Sequence, residues 1–335
     1  MKKYFLLVLC CFSFVAFAQQ RPQYTQYVLN NFLLNPALSG IENYTDVKLG
    51  YRQQWKGLAD APQTSFVTAN FALGDAYLWQ NPLSFEEGGN DPRNQNYQQN
   101  YTASPAHHGV GFSAVIDKAA QLRTAAFNVS YAYHLPLSGT LNLSAGLAAG
   151  LTKIGVDVNA LLLENPNDPA LKNASESIYK PDLSVGLWLY GARFFSGLSI
   201  QQLLPQKLAF TNDANYNSGK QVPHLFLTSG YKIGVAEDLS LIPSFMVKLV
   251  NHVPLSVDVN AKLNFRDKLW LGAGYRANDS MNLMAGININ HQFNLTYAYD
   301  FTTSQLNQVS SGSHEIVLGI LLNNVYKVVC PQKMW

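Results

Sequence analysis

The sequence predicts an all-β fold, a closed antiparallel transmembrane β-barrel of about fourteen strands with a short N-terminal periplasmic segment. Three observations carry this expectation. Hydrophobic residues make up 47% of the 335 residues but charged residues only 13%, about half the charge of an ordinary soluble domain. Mean hydropathy is still near zero, at −0.04, because Asn, Gln, Ser, Thr, Gly and Tyr stand where charge is missing. Long segments also alternate with a period of two, the period of a β-strand. Many of these run nine to twelve residues, the length a tilted strand needs to cross a bilayer, whereas globular strands average about five to six.

The N-terminus reads as a secretory signal peptide over residues 1–18. Lys2-Lys3 is a basic start, Tyr4 to Phe17 an apolar run, and Ala16-Phe17-Ala18 a small-x-small cleavage site. Cleavage removes Lys2 and Lys3 and leaves 21 basic residues against 21 acidic ones. It also removes Cys10 and Cys11, so Cys330 alone remains and an internal disulfide framework is excluded. A nucleic-acid partner is not expected without a basic excess. An aromatic content of 12% argues against disorder. No series of apolar runs of about 20 residues suggests a helical membrane protein.

The barrel is expected over residues 44–322. The clearest segment is Leu255 to Phe265: Leu255, Val257, Val259, Ala261, Leu263 and Phe265 alternate with Ser256, Asp258, Asn260, Lys262 and Asn264. Residues 141–152, 281–290 and 293–301 alternate as strictly. Looser segments lie at 45–55, 63–73, 109–117, 124–134, 182–190, 192–200, 223–234, 239–249, 268–276 and 314–322, fourteen strands in all. The apolar row is assigned to lipid. The small and polar row is assigned to the lumen, with Lys48, Lys248, Asp258, Lys262, Arg276 and Asp300 among its charges. Arg at Val259 is then expected to cost roughly 2–4 kcal/mol near the midplane, and Arg at Asn260 much less. Tyr51, Trp55, Tyr131, Tyr133, Phe265, Trp270, Tyr275 and Phe301 fall where aromatic girdles would lie. A secreted β-sandwich or propeller is the alternative fold, but it would carry more charge on its outer face.

With a periplasmic N-terminus, the short turns 135–139, 235–238 and 265–267 fall in the periplasm, and the polar loops 154–181, 201–222 and 302–313 fall outside. The long connection 75–107 breaks the rule on the periplasmic side, and a tail at 323–335 is also placed there. No catalytic signature is present: GxSxG, HExxH, the P-loop and CxxC are all missing. His107 and His108 are adjacent, so on a strand they point to opposite faces and make a poor metal pair. Neither enzymatic activity nor a cofactor is expected.

Residues 19–43 do not alternate. They contain Pro22-Gln23-Tyr24-Thr25-Gln26-Tyr27, then the turn signals Asn35-Pro36 and Ser39-Gly40. This block, together with Leu49 to Thr64 and Gly109 to Ser138, resembles the PorP/SprF family of Bacteroidetes outer-membrane proteins, associated with type IX secretion and gliding motility. The matching positions are Gln23, Tyr24, Gln26, Tyr27, Asn35, Pro36, Ala37, Gly40, Tyr51, Arg52, Trp55, Ala61, Pro62 and Thr64. The resemblance implies an outer-membrane barrel that supports secretion and surface anchoring of a large adhesin. Its partners would be the adhesin's C-terminal domain, periplasmic motor components and outer-membrane lipid. Gln23, Tyr24, Gln26, Tyr27, Asn35, Pro36, Gly40 and Trp79 are the partner-binding candidates. A passive or substrate-specific transport channel is the alternative function.

Overall fold

The computed structural model describes residues 27, 30–74, 103–156, 177–208, 219–236, 238–251, 253–266 and 268–324. The expected signal peptide, Gln23, Tyr24, Gln26, Trp79, most of connection 75–107 and most of the tail lie outside these residues.

Seventeen strands follow in chain order. They are β1 (Thr45–Gln53), β2 (Gln63–Leu73), β3 (His107–Ala119), β4 (Leu122–Ser138), β5 (Leu141–Val156), β6 (Ser177–Gly191), β7 (Phe194–Gln201), β8 (Gln206–Leu208), β9 (Gly219–Gln221), β10 (His224–Tyr231), β11 (Ile233–Ala236), β12 (Leu239–Val250), β13 (Ser256–Phe265), β14 (Leu269–Arg276), β15 (Ser280–Asn288), β16 (Phe293–Thr302) and β17 (Ser313–Leu322). Fourteen of them close a ring: β1 to β7 in sequence, then β10, β12 and on to β17, which pairs back onto β1. Every pairing is antiparallel. β11 continues β10 along β12 after a break at Lys232, and β8–β9 is a separate hairpin in the connection after β7. Followed round the ring, the registers advance by about one residue per strand, which produces the strand tilt of roughly 35–45° that closed membrane barrels show.

The two faces divide as the alternation requires. On β13, Val259 is 53% exposed while Asp258 and Asn260 are 2% and 3% exposed. Leu147, Leu151, Phe127, Val129, Leu271, Leu283 and Ile316 are likewise exposed on the outer face. Ring closure gives inter-strand partners to the backbone groups, which hydrocarbon would otherwise leave unsatisfied. The turns 139–140, 192–193 and 266–268 are short and share one end with connection 74–106, whereas 157–176, 202–223 and 303–312 share the other. Short turns mark the periplasmic end.

The wall is uneven. β4, β5 and β6 have 17, 16 and 15 residues, while β7 and β10 have 8 each. β6 starts five residues before the alternation signal at 182 and takes in Pro181. Proline lacks the N–H a central strand needs. Here the outermost β6–β7 pair is Val185↔Ile200, so Pro181 lies beyond the end of β7, and its carbonyl accepts from Gln206 Nε2 at 2.8 Å. One girdle assignment fails. Trp270 points into the lumen, 5% exposed, packed with Met284 and Ala298 and with Lys262 Nζ 4.9 Å from its ring centroid. The inward Gly286, where a Cβ would strike the indole, makes that room.

Val259→Arg should lower unfolding stability in lipid vesicles by roughly 2–4 kcal/mol, with Val259→Leu near neutral. Equal denaturant midpoints for wild type and Val259→Arg would contradict a lipid-facing Val259.

Candidate functional site in the barrel lumen

The lumen holds a piece of the chain itself. Residues 30–44 run inside the barrel before β1 starts at the periplasmic end, in two short 3-10 turns at Asn31–Leu33 and Pro36–Leu38. The segment expected at the periplasmic mouth therefore lies within the wall. Small inward residues make this possible. A Cβ at Gly109 would meet the Ser39 carbonyl, one at Gly111 the Phe32 ring, one at Gly146 the Ala37 backbone, and one at Gly186 the Asn35 side chain. On β4, between them, the inward positions are Ser130 and Ala132, both buried.

An irregular segment has no strand partner, so its carbonyls need donors from side chains. The wall supplies them. Gln201 Nε2 donates to the Leu33 and Leu34 carbonyls at 2.8 and 3.0 Å, and Ser199 Oγ to Leu34 O at 2.7 Å. Ser144 Oγ donates to Ala37 O at 2.6 Å. His134 Nε2 lies 2.8 Å from Ser39 O, with Tyr190 OH 3.0 Å from its Nδ1. His107 Nε2 lies 3.2 Å from Gly40 O, and the rings of His107 and His134 stack at 4.3 Å. Asn35 works in both directions. Its Oδ1 accepts from Ala37 N at 3.0 Å, starting the second turn, while its Nδ2 donates to Leu187 O and Leu198 O on β6 and β7. Gly40, at φ 68°, turns the chain where its N–H reaches Asn70 Oδ1.

Apolar packing locks the same segment. Phe32, Ala37, Leu38 and Ile41 join Trp188, Tyr190, Phe195 and Ile242 in one cluster; Tyr27 and Leu34 join Phe226 and Met246 in another. Tyr27 OH accepts from Asn260 Nδ2. Burial, reinforced by the nearby Asp258 carboxylate, raises its phenol well above the usual range, so it stays protonated. Asn260 is thus a packing position under Tyr27, and Arg there would meet Tyr27 rather than open lumen.

The opposite side of the lumen carries charge. Arg52 Nη2 is 2.6 Å from Asp300 and its Nη1 3.0 Å from Glu315, all three nearly inaccessible. Arg276 pairs with Asp258 at 2.9 Å and with Asp279 at 3.3 Å, and Lys48 with Asp46 at 2.7 Å. The six lumen residues named from the alternation all lie on this inner face: Lys48, Asp258, Lys262, Arg276 and Asp300 here, and Lys248 at the outer cavity. Arg52 and Thr64 are cross-strand partners, and Thr64 Oγ1 donates to Asp117 Oδ1 at 2.6 Å. The Tyr-Arg-x-x-Trp and Ala-Pro-x-Thr blocks thereby form one hairpin. Arg52 ties it to β16 and β17, Thr64 ties it to β3, Tyr51 faces out, and Pro62 O accepts from Gln54 N at 2.9 Å. Trp55 sits just past β1 at φ 47°, its N–H on Ser313 Oγ.

Between the segment and the extracellular end lies a cavity of about 460 Å³. Its floor is Tyr27, Phe32, Leu33 and Leu34; its walls include Asp117, Asn128, Thr152, Phe226 and Lys248. Of the partner candidates, Tyr27, Asn35, Pro36 and Gly40 are all buried in the barrel interior. No motif in the sequence marks Ser144, Ser199, Gln201, His134 or Glu315. Parity alone places Glu315 inward, since it shares the face of Ser313, Val317 and Leu321.

A closed barrel with an apolar outer wall and a charge-paired lumen filled by its own leading segment is an outer-membrane β-barrel protein. The chain belongs to the PorP/SprF family: the family described as type IX secretion system membrane protein PorP/SprF matches residues 16–320. No curated protein matches it. Among solved structures it is similar to the toluene transporter TbuX of Ralstonia pickettii, at 10% identity and a TM-score of 0.49 over 88% of this chain and 93% of that one. It is also similar to the outer membrane protein Omp33 of Acinetobacter baumannii, at 10% identity and 0.39 over 85% and 100%, and to a FadL homologue of Pseudomonas aeruginosa, at 10% identity and 0.42 over 91% and 95%.

Two variants test the interior. Gly146→Val should displace the leading segment, costing about 1–3 kcal/mol by overpacking and exposing residues before Tyr44 to protease while the barrel keeps its heat-modifiable gel mobility. Unchanged protection would show that the segment is not seated there. Arg52→Met, which leaves Asp300 and Glu315 without their shared cation, should cost roughly 3–5 kcal/mol, measured by denaturant unfolding.

Proposed function

We propose that this type IX secretion barrel is a non-enzymatic anchoring and export accessory for one large surface adhesin, linked to gliding motility. Family membership supports the secretion role. The observation that carries the anchoring reading over the channel reading is the leading segment, held by side-chain donors from β4, β5 and β7 and packed against inward glycines. A lumen built to retain its own chain suits a fixed mount better than a solute path. The adhesin's C-terminal domain would engage the extracellular mouth, and periplasmic motor components the opposite end. The mouth is braced for such a load. Lys56 N donates to Gly312 O at 2.8 Å and Ser311 N to Lys56 O at 2.7 Å, joining loop 54–62 to loop 303–312. A stable partner should cover more than ~1,000 Å².

Deleting the gene while measuring surface adhesin and bulk secretion separately tests this. Loss of one adhesin from the surface, with other cargo still exported, is the expected result. Unchanged adhesin display with altered uptake of a small solute would favour the channel reading.

A further inference from the structure

Elsewhere the lumen is occupied by the leading segment, by paired charges and by Trp270. The cavity above the segment is kept open by small inward residues. Ser113 lines it on β3, Ala126 on β4, Ala148 on β5 and Ser184 on β6. Ala126 lies directly opposite Thr152 in the β4–β5 register, so neither strand sends a long side chain across the space at that height. At about 460 Å³ the cavity has the size of a small-molecule site, roughly 300–1,000 Å³.

The floor and one side are apolar. Phe32, Leu33 and Leu34 belong to the segment, and Phe226 and Met246 pack with Tyr27 and Leu34 in one cluster. Such a surface takes a compact apolar body, and the flexible thioether adapts to its outline. Two polar atoms are left over. Thr152 and Gln221 are 4% and 6% exposed and both line the cavity, yet Thr152 Oγ1 and Gln221 Oε1 have no hydrogen-bond partner among the described residues. Buried polar atoms are normally bonded, so orphans beside a cavity mark a place for a group from outside. An amide oxygen only accepts and a hydroxyl can accept, so that group is a donor. The charged lining groups are already engaged. Asp117 accepts from Thr64 Oγ1, Arg276 is paired with Asp258, and Lys248 has an interaction of its own within the protein. The ligand they leave room for carries no net charge.

We propose that the cavity is a receptor site for a small neutral compound with a compact apolar body and one N–H or O–H donor. The body rests on Phe32, Leu33 and Leu34, and the donor meets Thr152 Oγ1 or Gln221 Oε1. The segment forms the floor, so the site holds its ligand rather than passing it through. Because the floor belongs to the leading segment, an occupied site also fixes that segment in the lumen. The site is independent of which partner the barrel serves.

Indole is the probe, and benzothiophene is its counterpart without the N–H. The full barrel in lipid nanodiscs is dialysed to equilibrium against each, with empty nanodiscs as the baseline. Wild type should bind both above that baseline. Thr152→Val/Gln221→Leu, which keeps the volume, should weaken indole relative to benzothiophene about fivefold, the scale of one neutral hydrogen bond. Ala126→Phe, which fills the space, should abolish binding of both, and Val259→Leu on the outer face should change neither. Bound indole should also slow proteolysis before Tyr44 in wild type but not in Ala126→Phe. Heat-modifiable gel mobility checks that each variant folds, and the volume-keeping double variant decides the matter if Ala126→Phe does not. No binding above the baseline, an indole-to-benzothiophene ratio equal in wild type and the double variant, or tighter binding of the anion indole-3-carboxylate than of indole would each overturn the assignment. Adhesin display does not enter this readout, so its failure is distinguishable from failure of the anchoring role.

Discussion

Backbone groups inside a barrel need partners, and this constraint shapes the rest of the molecule. Strands satisfy it by closing on one another. The leading segment has no such ladder, so its carbonyls are matched by side chains: Leu33 and Leu34 by Gln201 and Ser199, Ala37 by Ser144, and Ser39 by His134. The donors come from inward positions on β7, β5 and β4. The wall's composition follows from that demand, since long apolar residues there would leave the carbonyls orphaned at a cost of about 1–3 kcal/mol each.

The lumen is consequently divided. The side formed by β3 to β7 receives the segment through glycine, serine and an aromatic cluster, with Trp188 and Phe195 stacked at 5.1 Å. The side formed by β13 to β17 and β1 carries paired charges. The hairpin of β1 and β2 joins the two, with Arg52 reaching toward β16 and β17 and Thr64 toward β3. Buried pairs of this sort contribute little net stability, because desolvation offsets attraction, but they penalise any arrangement that separates them. They therefore fix the register at β1 and β17, where the two ends of the sheet meet and the ring closes.

The outer face obeys a different solvent. The apolar row is continuous round the ring, and the girdle aromatics Tyr51, Tyr131, Tyr133, Phe265, Tyr275 and Phe301 are exposed on it. The extra length of β4 to β6 carries that side of the wall past the end of β7 at the end where connection 157–176 leaves. One set of strands thus meets two environments, lipid and packed lumen, and the identity of each residue follows its parity.

The sequence by itself determined the barrel, its fourteen strands, the facing of Val259 against Asp258, and the inward placement of Arg276 and Asp300, because a period of two in a charge-poor chain has few other solutions. It also singled out residues 19–43 as non-strand. Tertiary structure alone decided where residues 30–44 lie, which serines and glycines receive them, that Glu315 joins Asp300 on Arg52, that Trp270 turns inward, and that β6 runs through Pro181. Parity is a local property, written along each strand. Which inward residue meets which depends on ring closure and stagger, which bring together residues as distant as Asn35 and Leu198.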